Sequence, residues 1–166
     1  MDKIIEKAMD IRELTNELFD FSIANQEGSI ELEEPATVED AVGDYLSEFY
    51  GSLEENGYLI NFDAIKWKEK KISIHTNFFS RILNNLLSNI LKYADKDQEV
   101  IMAMIYKSHE VGISLENTIK ESKKLSEKTG IGLMNVQMMM EKMNGRLEVI
   151  EKDSTFKVIL WFKEER

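Results

Sequence analysis

Strand-like runs in this sequence come in adjacent pairs, and that pairing restricts the fold more than any other feature. Val100–Tyr106 and Val111–Asn117 flank the turn Lys107-Ser-His-Glu110, and Arg146–Ile150 and Thr155–Phe162 flank Lys152-Asp-Ser154. Connections this short join antiparallel neighbours, whereas a parallel pair needs a crossover of a dozen or more residues. A third pair is expected from Tyr58–Ile65 and Lys71–His75, with residues 66–70 as its turn. Strands therefore outnumber the helices available to cross over between them, which argues against a doubly wound parallel sheet. The expected class is α+β: a two-layer α/β sandwich, a mixed sheet with helices on one face, preceded by a long N-terminal helix.

That first helix covers residues 2–24. Ile4, Ile11 and Leu18 fall seven apart, Leu14 and Phe21 repeat the spacing on the adjacent seam, and Ala8 joins them in a narrow apolar stripe. At 1.5 Å per residue the helix is about 35 Å long. Such a stripe needs a partner, so the chain is expected to begin partway through a helical hairpin or to self-associate. A helix lying on its own domain is the plainer alternative. Ser29–Glu33 is a short candidate strand. Thr37 then N-caps a second helix, with its apolar face at Val38, Ala41, Val42, Tyr45, Leu46, Phe49 and Leu53 and its end at Asn56-Gly57. Thr118–Thr129 is polar and Lys-rich and reads as a loop, after which Gly130-Ile-Gly132 opens a helix that stops at Asn144-Gly145.

Composition narrows the chemistry. The 166 residues carry 21 Lys+Arg against 31 Asp+Glu, a formal charge of −10 that would repel a phosphate backbone, so no nucleic-acid partner is expected. With no cysteine there is no disulfide, thiolate metal site or Cys nucleophile, and two isolated histidines make a His-rich zinc site a poor fit. No apolar run approaches a membrane span, and the acidic start is no signal peptide, so these residues read as a soluble, intracellular-type segment. The methionines Met134, Met138–Met140 and Met143 fit an adaptable core filler on an amphipathic helix better than a thioether copper site.

Two elements remain that could do chemistry. On the helix 77–94, Arg81, Asn85, Asn89 and Lys92 recur at spacings of four, four and three, which puts them on one ridge beside a wide apolar face. Asparagine is a poor helix former. Two of them one turn apart suggest amides kept for a hard cation or for phosphate oxygens, with Lys92 adding charge and Tyr93 a flat ring. A solvated polar face is the alternative. The second element is Thr129-Gly-Ile-Gly-Leu133, where glycines at a helix start let backbone N–H groups approach an anion. It is neither a dinucleotide fingerprint nor a P-loop, and taken alone it is also compatible with a flexible loop.

Taken together, these elements resemble a known family. Asn85-Leu-Leu-Ser-Asn89-Ile-Leu-Lys92-Tyr93-Ala94 resembles the N box of sensor histidine kinases, in the superfamily shared with DNA gyrase and MutL. Thr129-Gly-Ile-Gly-Leu-Met-Asn-Val136 resembles that domain's second glycine box, and the order of elements matches over roughly residues 35–163. The resemblance implies a Bergerat-type domain at 29–166 and, at 1–26, the second helix of a dimerisation and phosphoacceptor hairpin. It implies ATP and Mg²⁺ as ligands, with Asn89 as the metal ligand, Asn85 supporting phosphates or metal, Lys92 on phosphate and Tyr93 against the adenine. Gly130, Gly132 and the Leu133 backbone would border the triphosphate. The γ-phosphate would pass to a histidine on a hairpin helix absent from this chain, so no catalytic residue is expected here. Implied partners are that hairpin, a homodimer mate and a response regulator, and the parent would be a membrane-anchored sensor with this portion in the cytoplasm.

Departures from the family pattern point to an alternative. No His-Glu/Asp phosphoacceptor motif is present: His75 closes a strand and His109 sits in a turn. The first glycine box is replaced by Leu115-Glu-Asn117-Thr-Ile-Lys-Glu121, where Asn117 stands for the Asp that grips the adenine amine and no glycine follows. Asn117 still accepts a hydrogen bond but without negative charge, so nucleotide binding is expected to be weak. The lid, 118–128, is short and offers Lys120, Lys123, Lys124 and Lys128 to phosphate. The alternative is a degenerate member of the fold, an interaction module without phosphotransfer.

Overall fold

The computed structural model describes residues 2–63, 69–121 and 130–166. The expected turn with Trp67, and Lys123, Lys124, Lys128 and Thr129 of the loop, lie outside the described residues. In chain order the elements are α1 (Asp2–Ala24), β1 (Ala36–Thr37), α2 (Val38–Glu55), β2 (Ile60–Asp63), β3 (Lys71–Ile72), α3 (Thr76–Tyr93), β4 (Val100–Lys107), β5 (Glu110–Thr118), α4 (Ile131–Lys142), β6 (Arg146–Lys152) and β7 (Thr155–Lys163).

Five strands form one sheet in the order β2-β4-β5-β7-β6. The two predicted hairpins are present: β4 pairs antiparallel with β5, and β6 with β7. Their turns place Ser108, His109 and Asp153 at positive φ. Alternation along β7 sends Phe156, Val158, Leu160 and Phe162 to the inner face, where all are buried. There they meet the apolar faces of α2 and α3, with Phe79 at 6.0 Å from Phe162 and 5.8 Å from Tyr45, ring centre to ring centre. Met139, Met140 and Met143 of the α4 region join this core, so the methionine run packs as expected. Met134 is exposed. Fold class and mixed sheet are as the sequence predicts.

Two strand assignments are corrected. Tyr58–Ile65 and Lys71–His75 do not pair with each other. β2 runs parallel to β4, Ile60 opposite Val100, making a βαβ crossover that carries α3, and β3 pairs with β1. Ser29–Glu33 is no strand: Ile30 and Leu32 pack against the core, and Glu33 N–H donates to the Ile74 carbonyl at 2.8 Å. In both cases the alternation reports which side is buried, and burial does not specify the hydrogen-bonding partner. His75 is likewise not a strand residue but the N-cap of α3, its Nδ1 accepting from Phe78 N–H at 3.3 Å. The cap of α2 is as expected, Thr37 Oγ1 accepting from Asp40 N–H at 3.2 Å.

α1 packs against α4, and its orientation differs from what the apolar stripe suggests. Ile4, Ile11, Leu14 and Leu18 are exposed, while Glu13, Glu17, Asp20 and Ala24 turn inward. The helix lies on its own domain through an acidic face. No helix among the described residues is long and apolar enough to cross a membrane.

Candidate functional site

The site is built on α3. Its buried face, Phe78, Phe79, Ile82, Leu83, Leu86 and Ile90, fixes the helix on the sheet and leaves the ridge Arg81-Asn85-Ser88-Asn89-Lys92 along its free edge. The C-terminal end of α3 is held by Tyr58, whose hydroxyl donates to the Ile90 carbonyl at 3.1 Å and lies 3.2 Å from that of Ala94. Burial, and secondarily the Asp95 carboxylate, push the Tyr58 phenol above its ordinary pKa, so it remains the donor these end-of-helix carbonyls need. Lys120 N–H donates to the Tyr93 carbonyl at 2.8 Å and ties the loop after β5 to the same place.

Opposite the ridge stands the start of α4. Gly130 is its N-cap with φ 76° and ψ −10°, a left-handed conformation that costs an L side chain about 1–2 kcal/mol. It turns the chain so that the first-turn N–H groups, unpaired within any helix, end at the site. A β-carbon at Gly132 would stand 3.5 Å from Asn85 Oδ1 and 3.8 Å from Glu17 Oε1, ordinary contact distances that place the start of α4 beside both α3 and α1.

Between them lies a cavity of about 350 Å³ lined by Asn89, Lys92, Tyr93, Gly130, Gly132 and Leu133, with Asp10, Glu13, Leu14 and Glu17 of α1 forming its other wall. The side-chain amide of Asn89 makes no hydrogen bond with the described residues. Next to the cavity, and sharing Asn89 and Tyr93 with it, is an apolar slot between Leu86, Ile90, Leu115, Phe156 and Val158. Asn117 sits at that slot, buried, with its Nδ2 donating to the Thr118 carbonyl at 3.3 Å. The slot is nearly closed, with about 10 Å³ of free space, the room of a single water.

Of the eight residues singled out by sequence, six line the cavity, Asn117 lines the slot, and Asn85 stands at the edge beside Gly132. Asn85 is already engaged: its Nδ2 donates to Asp20 Oδ2 at 3.2 Å and to the Arg81 carbonyl at 3.1 Å. The α1 wall is what sequence reasoning missed. Asp20 also pairs with Arg81 at 2.6 Å, and Glu13 accepts from Ser88 Oγ at 3.0 Å and pairs with Lys92. Asn135 Nδ2 donates to the Glu17 carbonyl at 2.8 Å, and Lys142 reaches the Gln26 carbonyl. A signal was present: Asp10, Glu13, Glu17 and Asp20 recur at three- and four-residue spacing, a helical stripe beside the apolar one.

Comparison with known proteins bears on the family and the fold. The family model described as the GHKL domain matches residues 71–163, a span that holds α3, the slot and the α4 start. The sensor histidine kinase YrkQ of Bacillus subtilis (strain 168) is 27% identical over 156 residues, covering 94% of this chain and 36% of that protein. The chain thus spans about a third of that relative's length. Among solved structures, the histidine kinase AdeS of Acinetobacter baumannii aligns with a TM-score of 0.70 at 15% identity, over 99% of this chain and 84% of that one. Full-length ShkA in complex with AMPPNP gives 0.68 at 18% identity, over 96% and 37%. At these identities the structural likeness is one of fold.

Proposed function

Since this chain belongs to the GHKL domain family, we propose that it binds ATP with Mg²⁺ as the catalytic domain of a two-component sensor histidine kinase. Residues 29–166 form that domain on this reading, and 1–26 the second helix of a phosphoacceptor hairpin. The γ-phosphate is handed to a histidine on the hairpin's other helix. The parent is a membrane-anchored sensor that works as a homodimer and passes the phosphoryl group to a response regulator.

The observation that carries this reading is the cavity where Asn89 and Lys92 face the glycine-opened start of α4. The donor set fits the ligands. Mg²⁺ binds through few protein oxygens, taking the rest from phosphates and water, and the Asn89 carboxamide, without a partner among the described residues, offers one such oxygen. When bound, the metal neutralises phosphate charge. Lys92 and the α4 N–H groups supply preorganised positive charge to the phosphates. The base enters beside Asn117 and Tyr93 only by opening the slot, which is nearly closed without it, and the Asn117 side-chain oxygen then accepts from its amine. No nucleophile is needed from this domain, because holding the γ-phosphoryl group in line for an incoming imidazole is its share of the transfer.

Titration with a fluorescent ATP analogue, with and without Mg²⁺, tests the reading. Saturable, Mg²⁺-dependent binding is expected, weakened at least ~10-fold in Asn89→Ala, which corresponds to about 1.4 kcal/mol for the lost metal ligand. No binding at millimolar nucleotide, or binding indifferent to Asn89→Ala, would overturn it. A second reading, an interaction module without phosphotransfer, is favoured by the nearly closed slot and the missing glycines after Asn117. Transfer from labelled ATP to a supplied hairpin bearing the histidine eliminates that reading.

A further inference from the structure

Lys92, which would meet a triphosphate, and the Arg81, Asn85 and Ser88 side chains on the same ridge are held by carboxylates of the same chain. Asp20 is gripped by the Arg81 guanidinium at 2.6 Å and the Asn85 amide at 3.2 Å. Glu13 is gripped by the Ser88 hydroxyl at 3.0 Å and the Lys92 ammonium. The match is one of register. Glu13 and Asp20 lie seven residues apart on α1, and the Arg81/Asn85 and Ser88/Lys92 pairs are centred seven apart on α3, so on each helix the two points are about 10.5 Å apart. Each carboxylate therefore has one cation and one neutral donor, the recognition that phosphate oxygens would receive. Glu17, between them, lines the cavity that Gly132 borders.

We infer that the acidic face of α1 is a built-in competitor for the phosphate end of the nucleotide site, so that α1 docking and nucleotide binding exclude each other. This rests on the site reading of the preceding section and adds its regulation. Lys92 cannot pair fully with Glu13 and with phosphate at once, and a triphosphate in the cavity would bring its charge against Asp10, Glu13 and Glu17 on the opposite wall.

Asn135 anchors the docked helix: fully buried, its Nδ2 donates to the Glu17 carbonyl at 2.8 Å. The apolar residues Ile4, Ile11 and Leu18 contribute little to holding the helix, being exposed. By linkage, what displaces α1 from the cavity frees that helix for other contacts, and what captures α1 elsewhere raises nucleotide affinity.

The 166-residue chain serves for the test, with Mg²⁺ and the fluorescent nucleotide TNP-ATP as probe. If α1 is docked in nine molecules of ten, the apparent Kd is about tenfold weaker than the intrinsic one. The Glu13→Gln/Asp20→Asn variant is therefore expected to bind roughly tenfold tighter. Asn135→Ala, which changes no charge but removes the anchor on Glu17, should tighten binding in the same direction. The chain has no cysteine, so spin labels placed at Ile11→Cys and Ser154→Cys report the α1 position, and Mg·AMPPNP should lengthen and broaden their distance distribution. Saturable, Asn89-dependent binding with an unmoved α1 overturns the inference and leaves the site reading standing. Tightening by the neutralised pair alone, with Asn135→Ala at wild-type affinity and the distance unchanged, also overturns it, since charge repulsion then suffices. Absence of binding in every variant removes the site reading and this inference with it.

Discussion

Glycine carries different physics at different positions of this chain. The expected stop at Asn144-Gly145 is present, yet it is Asn144 that takes the left-handed conformation, φ 63°. Gly145 is required for another reason: a β-carbon there would stand 2.4 Å from the Trp161 carbonyl oxygen and 2.9 Å from Met140 Cε. A backbone oxygen cannot step aside as a side chain can, so Gly145→Ala is expected to destabilise by about 1–3 kcal/mol, the usual range for overpacking. Gly51 lies inside α2, and a β-carbon there would meet nothing within 4 Å. Gly51→Ala should therefore stabilise by about 0.5–1 kcal/mol through chain entropy. Thermal unfolding of the two variants should move in opposite directions, the second upward by roughly 1–4 °C. A sequence shows both as glycines in or near helices, and only the neighbour across the fold separates them.

At the scale of elements, the hairpins and helices were legible because local patterns encode them. The partners of β2 and β3 were not. Two short runs separated by a polar stretch look like a hairpin, and the parallel pairing of β2 with β4 depends on α3 lying between them in sequence and over the sheet in space. The small β1–β3 sheet is joined to the main one by the C-terminal end: Glu165 N–H donates to the Lys71 carbonyl at 2.8 Å. Beside it, Glu164 accepts from the Tyr106 hydroxyl of β4 at 2.5 Å and pairs with Lys70 at 3.3 Å. The Tyr106 hydrogen bond, aided by Lys70 and His109, holds the Glu164 carboxyl below its ordinary value of 4.5. The same carboxylate raises the pKa values of Lys70 and Tyr106. A depressed folded-state pKa gives stability that is present above the unfolded value and lost as pH falls through the folded one. Glu164→Gln should therefore lower the unfolding temperature at neutral pH, with the gap to wild type closing below about pH 4.5. A gap that persists unchanged at pH 3 would separate the network from the stability of this junction.

Over the whole molecule, the site was legible in its residue types and half hidden in its surroundings. Asn85, Asn89, Gly130 and Gly132 stood out because each is a poor choice for a helix or its start unless something must approach it. Asp10, Glu13, Glu17 and Asp20 did not, because acidic residues on a helix ordinarily face water, and the seven-residue apolar stripe beside them is the stronger pattern. Up to Leu18, α1 inverts the expected burial: Glu13 and Glu17 turn toward the domain while Ile4, Ile11, Leu14 and Leu18 face out, and only at its end do Ile23 and Ala24 join the core. Ahead of that apolar end its hold on the domain is largely polar, with partly exposed pairs at Glu13–Lys92 and Asp20–Arg81, and such pairs contribute modestly and are screened by salt. The main sheet is held by apolar burial, which salt does not weaken. Raising ionic strength shortens the screening length from about 10 Å at 0.1 M to about 3 Å at 1 M. Amide hydrogen exchange should then accelerate along α1 between these salts, while protection in β5 and β7 stays unchanged or rises. Equal protection of α1 in both salts would mean that contacts other than the two ion pairs hold it, with Asn135 on Glu17 and Lys142 on Gln26 next to be removed.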